Sequence, residues 1–375
     1  MMRNMKLEHL GGLTAKQFLG EYWQKKPLLV RQAFPGFQGL LTPEELAGLA
    51  CEEDTQSRLV LRQRGQWKLE QGPFDEARFA RLPKKDWSLL VQGVNHFLPQ
   101  AAELLAAFDF IPRARLDDLM VSYAPDGGGV GPHFDSYDVF LLQGHGKRLW
   151  RVSTQKDMEL LEGAPLRILK NFHAEQEWLL EPGDMLYLPP RAAHWGIAVG
   201  PCMTYSVGFR ALSAQELATQ FLAWLAENVC LDGMYADPDL KPPRHAAEIS
   251  GQMLKKTQSM LRSIRWDEAE VAAFLGSYLT EPKPHILFNP PRRLTPEKFG
   301  ERFTARGIRL DLKSQMLFNG NHVFINGESA QVQGAALNLM TTLADRRALP
   351  ATGDAPPQAL ALLCAWRNAG YLDFS

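Results

Sequence analysis

Three side chains carry the chemistry that this sequence can be read for. His133 and Asp135 stand two residues apart after the glycine-rich run Gly127–Gly131, and His194 follows the turn Glu181–Asp184 and a short apolar stretch. Side chains alternate faces along a strand, so His133 and Asp135 would point the same way. Two imidazoles and one carboxylate on one wall make the three-donor face that holds non-haem Fe(II) and leaves positions open for chemistry. The same donors also suit Mn or Zn, and a lone His-x-Asp pair is often a structural hydrogen bond.

Spacing favours the metal. Gly127-x5-His133-x-Asp135 and Gly183-x5-Pro189-x4-His194 reproduce the two halves of the double-stranded β-helix metal motif, with a carboxylate for one His. A strand over 116–124 puts Asp118, Met120 and Ser122 on one face. A strand over 133–143 carries Tyr137 inward with His133 and Asp135. Gly144-His145-Gly146 reads as a turn into a further strand, on which either Lys147 or Arg148 points inward. A fixed cation beside an open metal site suits a dicarboxylate co-substrate, since Arg grips a carboxylate with two hydrogen bonds. Asp117, Asp118 and Asp138 would give the mouth an acidic rim suited to a basic substrate. Asp118 and Tyr137 are the candidate grip on that substrate, with Met120 beside them. His145 and His173 are not counted as ligands. The glycines are not a phosphate loop, because no Gly-Lys-Ser/Thr follows.

The elements that must position these groups fall into three parts. A chain of 375 residues exceeds one ordinary core. Many short strands with Gly/Pro turns from 116 to 210 indicate an antiparallel sandwich or barrel. Thr14 as an N-cap and a capping-box start at Thr42 open short helices before it, and Arg58–Leu69 reads as two strands about Arg64-Gly65. Residues from Asp86 to about Phe108 read as helical with a break at Pro99. Helices follow at 213–229, 245–263 and 267–279. A mixed pattern from 282 resembles a small winged-helix module. The division is 1–211 catalytic, 212–281 helical and 282–375 winged-helix-like.

Net charge of −1 argues against a nucleic-acid coat, and no direct nucleic-acid contact is required. Four scattered cysteines form no disulfide framework. With no secretory apolar core in residues 1–10 and no apolar run of membrane-spanning length, a cytoplasmic protein is expected.

Residues 115–122, 127–140, 146–152 and 204–210 together resemble the bacterial ribosomal oxygenases, which are JmjC-type, cupin-fold 2-oxoglutarate dioxygenases. The similarity extends to Trp23–Pro27, Leu46–Ala50, Gly72–Phe74 and Trp87–Gln92 and weakens after about 250. It implies Fe(II) held by His133, Asp135 and His194, and 2-oxoglutarate held by Arg148 with help from Ser122. Dioxygen is the third reactant. It further implies a homodimer formed through the helical region and a C-terminal winged helix. The implied substrate is an arginine of large-subunit ribosomal protein sixteen. The alternatives are the same chemistry on a histidine or other residue, or a non-catalytic dimeric cupin acting as scaffold or regulator.

Overall fold

Strand-forming runs between residues 28 and 209 assemble into one antiparallel system. The computed structural model describes Leu7 and residues 10–353 and 355–375. Most of the amino-terminal stretch read above for a secretory signal lies outside the described residues. The strands are β1 (Leu28–Val30), β2 (Ser57–Gln63), β3 (Gln66–Gln71), β4 (Trp87–Val91), β5 (Leu116–Ala124), β6 (Val139–Ser153), β7 (Gln176–Leu180), β8 (Met185–Leu188) and β9 (Ala193–Phe209). They order as β1-β8-β6-β9-β5-β4-β2-β3, with β7 on the outer half of β6. All of these pairs are antiparallel.

Alternation along β6 builds two cores from one strand. Phe140 and Leu142 pack outward with Phe18, Phe108, Tyr187 and Tyr205, against the amino-terminal helices. Val139, Leu141, Trp150 and Val152 pack inward with Leu186 and Leu188. Each such side chain taken out of water contributes roughly 1.5–3 kcal/mol.

Several sequence expectations fail for local reasons. The segment after Asp86 is not helical at first, because Trp87–Val91 is β4, between β2 and β5. A short apolar run cannot be told from a helix by periodicity, and here sheet neighbours decide. Residues 133–138 are not part of a strand. Pro132 has no N–H to donate, and the Asp135 carbonyl accepts from the Arg191 N–H at 2.8 Å. Only His133 pairs, in a single bridge to His194, and β6 begins at Val139. The parity argument for Tyr137 therefore falls, although its side chain still reaches the cavity described below. Gly144-His145-Gly146 is no turn either. It is an irregularity inside the continuous β6, where the register to β9 shifts at His145. Gly146 holds φ +61°, and a Cβ there would lie 2.0 Å from the Pro201 carbonyl oxygen. Within the run of strands expected from 116 to 210, residues 166–170 read as one more, but they make a single bridge, Leu160 to Leu169, and no strand.

Beyond β9, helices span Ala214–Asn228, Gly251–Leu261 and Glu268–Thr280. The 245–263 expectation shortens to begin after the Ser250 cap, whose hydroxyl accepts from the Met253 N–H. The last part holds helices Pro296–Arg306, Gly334–Arg346 and Pro357–Ala369 around two three-stranded sheets. Its own core contains Phe299, Phe303, Val323, Met340, Leu363 and Trp366. Arg210, just after β9, donates to the Leu279 carbonyl of the helix Glu268–Thr280 at 2.6 Å and to Gln315 Oε1 of this last part at 3.0 Å. Among the described residues no helix is long and apolar enough to cross a membrane.

Candidate metal centre

The loop before β6 is laid along β9 by backbone bonds. The Gly127 N–H donates to the Ala198 carbonyl and the Ala198 N–H donates to Gly128. His133 and His194 then exchange both N–H···O bonds, at 2.9 and 2.8 Å. The glycines permit the approach: a Cβ on Gly129 would fall 2.4 Å from the Gly196 carbonyl oxygen. This bridge, and not a shared strand face, brings the two imidazoles to a centroid separation of 4.2 Å.

Donor atoms of His133, Asp135 and His194 all lie within 4.8 Å of one another, the one such cluster among the described residues. His194 Nε2 is 3.7 Å from Asp135 Oδ2. Each imidazole Nδ1 sits against a backbone carbonyl, His133 on Gly131 at 2.9 Å and His194 on Ala192 at 2.8 Å. That contact places the proton on Nδ1 and leaves both Nε2 lone pairs for a cation. Burial, with the second imidazole beside it, pushes His194 down to about 4. The ring is thus neutral at working pH, as a metal ligand must be. The donor set fits a divalent metal of borderline hardness. His173 lies outside it.

A cavity of about 610 Å³ opens in front of these donors, within the range of small-molecule sites. Its lining brings together Asp118, Met120, Ser122, Tyr137 and Arg148 with the three donors. These five share one wall system with the donors, while Asp138 and Lys147 do not line the cavity. The structure separates the two cations that sequence parity left open. Lys147 pairs with Glu181 at the surface, at 2.6 Å. Arg148 is buried and lines the cavity, its guanidinium 5.7 Å from the Trp150 ring. Its Nε and Nη2 have no hydrogen-bond partner. A buried charged donor without a partner is costly, so a guanidinium in this state fits an anionic occupant. Ser122, also buried, stands on β5 opposite Thr204 of β9.

Of the expected acidic rim only Asp117 stands part-exposed at the cavity. Asp138 is fully buried on the far side, accepting from the Tyr187 hydroxyl at 2.6 Å and from Gln24 Nε2 at 2.9 Å. Asp118 is no rim residue either, being 3% exposed and deep in the wall. Gln92 Nε2 donates to both its oxygens, at 2.7 and 2.9 Å. Burial and the neighbouring Asp117 push its carboxyl up. Desolvation, and then the Asp135 carboxylate, hold the Tyr137 hydroxyl above its ordinary range, so it acts as a donor. Sequence reasoning missed Arg58, Gln92, Trp150 and Ser206 in this lining. Gln92 was hidden by reading β4 as helix. Arg58, whose Nη2 lies 3.9 Å from the Met120 sulfur, stands near the start of an expected strand whose cavity-facing side carries no motif.

A JmjC-domain profile matches residues 103–217 and a ROXA-like winged-helix profile matches 263–373. The chain is 36% identical to the ribosomal protein uL16 3-hydroxylase of Escherichia coli K12, over 98% of this chain and 100% of that one. It is 40% identical to a probable ribosomal oxygenase of Haemophilus influenzae, over 61% of this chain and 55% of that protein. A solved structure of the Escherichia coli ribosomal oxygenase with cobalt and 2-oxoglutarate matches at a TM-score of 0.83 and 35% identity, covering 97% and 99% of the two chains.

Proposed function

We propose that the chain, which belongs to the JmjC-type ribosomal oxygenases, is a 2-oxoglutarate-dependent dioxygenase hydroxylating an arginine side chain of ribosomal protein uL16. Its cofactor is Fe(II), and its co-substrates are 2-oxoglutarate and dioxygen. The observation that carries the reading is the buried, unpartnered guanidinium of Arg148 facing three convergent metal donors across one cavity. A scaffold would have no use for that combination.

His133, Asp135 and His194 would hold the iron through two neutral Nε2 atoms and one carboxylate, leaving the remaining positions open. Bound there, the metal supplies the oxidative decarboxylation of 2-oxoglutarate to succinate and carbon dioxide, coupled to insertion of one oxygen atom into a C–H bond. The protein's own part is placement. Arg148 takes the far carboxylate of 2-oxoglutarate and Ser122 donates a hydroxyl beside it. Asp118, fixed by Gln92, offers an anionic acceptor to the substrate guanidinium, with the Tyr137 hydroxyl and the Met120 side chain flanking it. The apolar wall of Val139, Leu141 and Trp150 keeps bulk water from the reacting carbon. The protein supplied with Fe(II), 2-oxoglutarate and uL16 is expected to form succinate well above its uL16-free rate. Equal rates with and without uL16 would remove uL16 as the substrate.

The protein is proposed to work as a cytoplasmic homodimer, the substrate being a ribosomal component. Leu222, Met253, Leu254, Leu261 and Trp266 stand exposed on or beside the helices that follow the barrel. Large apolar groups left in water on consecutive helices are the kind of surface that a second copy would cover. Sedimentation should give twice the 42.1 kDa chain mass, and a chain-mass species at micromolar concentration would refute the dimer.

A further inference from the structure

Lys283 lies beyond the barrel, in the connection between Glu268–Thr280 and Pro296–Arg306. Its ammonium nitrogen is 3.0 Å from Asp117 Oδ1 and 3.5 Å from Asp118 Oδ2. Both carboxylates line the catalytic cavity and Lys283 does not. The lysine therefore approaches the pair from behind the cavity wall and leaves the cavity side of Asp118 open. We infer that Lys283 is a positioning residue of the substrate site, keeping the Asp118 carboxylate ionised and available to a basic side chain.

The need for such a residue follows from the surroundings of Asp118. Two adjacent carboxylates repel each other, and one of them is buried. Burial and Asp117 both favour the protonated form of Asp118, while Lys283 and the Gln92 amide oppose them. A protonated carboxyl would meet a guanidinium with one neutral hydrogen bond in place of a charge-assisted, directional pair. Among the described residues no other cation pairs with Asp118 directly. Arg210 is 3.6 Å from Asp117, and its terminal nitrogens are engaged by Leu279 and Gln315. Arg58 stands at Met120, facing the same cavity, where it also acts on Tyr137. On the far side His96 and His285 are pushed down by burial first and by the Lys283 charge second, so neither competes as a cation near neutrality. Burial alone would weaken the charge on Lys283, but the Asp118 and Asp117 carboxylates outweigh it and hold its pKa above the ordinary range.

The inference gives the segment leading to the winged-helix part a place in the reaction: it supplies the counter-ion of the specificity carboxylate. It rests on Asp118 being the partner of the substrate guanidinium, and the test separates the two. Steady-state kinetics with a uL16 arginine peptide would compare the parent protein with Lys283→Met, Lys283→Arg and Asp118→Asn across pH. For Lys283→Met, the KM for peptide is expected to rise about tenfold, the equivalent of about one pKa unit at Asp118, with kcat little changed. The acid limb of kcat/KM should move to higher pH, and peptide-free 2-oxoglutarate turnover should hold. Lys283→Arg should restore the KM. If Lys283→Met fails to fold, Lys283→Gln keeps hydrogen-bond donors without the charge and should show the same shift. An unchanged or lowered peptide KM with an unmoved acid limb would overturn the role of Lys283. If Asp118→Asn leaves the peptide KM unaltered, the Asp118 reading itself fails. If Asp118→Asn raises it and the lysine variants do not, only the inference about Lys283 fails.

Discussion

Asp135→Ala is expected to abolish hydroxylation and to weaken divalent-metal binding by more than about 100-fold. Losses in the shell outside the ligands alone cost roughly 10–100-fold in metal affinity, and Asp135 would supply the one anionic ligand. Asp135 separates ligand loss from collapse better than His194 does. Its side chain is 22% exposed, against 3% for His194, and it sits in a loop held by the main-chain bonds of His133 and of its own carbonyl. The variant should therefore melt within a few degrees of the metal-free parent. Calorimetric titration with Fe(II) under nitrogen, or with Co(II), reads the affinity directly. Retention of tight metal binding by the variant would show that Asp135 is not a ligand.

Arg148→Met should act on a different quantity. The KM for 2-oxoglutarate is expected to rise by about 100- to 10,000-fold, as two charge-assisted hydrogen bonds at roughly 1.5–3 kcal/mol each are lost. Metal affinity should stay near the parent value, because the cation is not a ligand. Arg148→Lys should recover only part of the loss, since an ammonium keeps the charge but not the two-pronged geometry. Stability supplies a second signature. Nε and Nη2 of Arg148 bond to no protein group, so in the metal-loaded protein without co-substrate their removal breaks no protein hydrogen bond. Arg148→Met should consequently leave the melting temperature of this form unchanged or raise it. A marked fall would assign Arg148 a structural role.

How far the sequence reveals these features depends on whether each is local. His133, Asp135 and His194 are legible because the motif fixes their spacing, and the antiparallel pattern is legible because strands and Gly/Pro turns alternate. Convergence was expected from strand parity, yet it comes from a backbone bridge between residues 133 and 194, a contact that no local pattern encodes. Parity alone does not settle Arg148 against Lys147, since the strand carrying them has an irregularity at Gly144–Gly146 whose glycines read as a turn. Asp138 was expected at the mouth, but it turns away because Tyr187 and Gln24, both distant in sequence, supply its donors. Gln92 and Lys283, the two groups that hold Asp118, come from a strand read as helix and from an irregular connection with no chemical signature. Long-range contacts decide every one of these.

The most direct measurement is site-resolved mass spectrometry of uL16 after incubation with the protein, Fe(II), 2-oxoglutarate and air. The expected result is a +16 Da shift (one oxygen atom added) on a single arginine, dependent on 2-oxoglutarate and absent with the Asp135→Ala variant. Succinate formation with no modified arginine, or a shift on a histidine instead, would contradict the account.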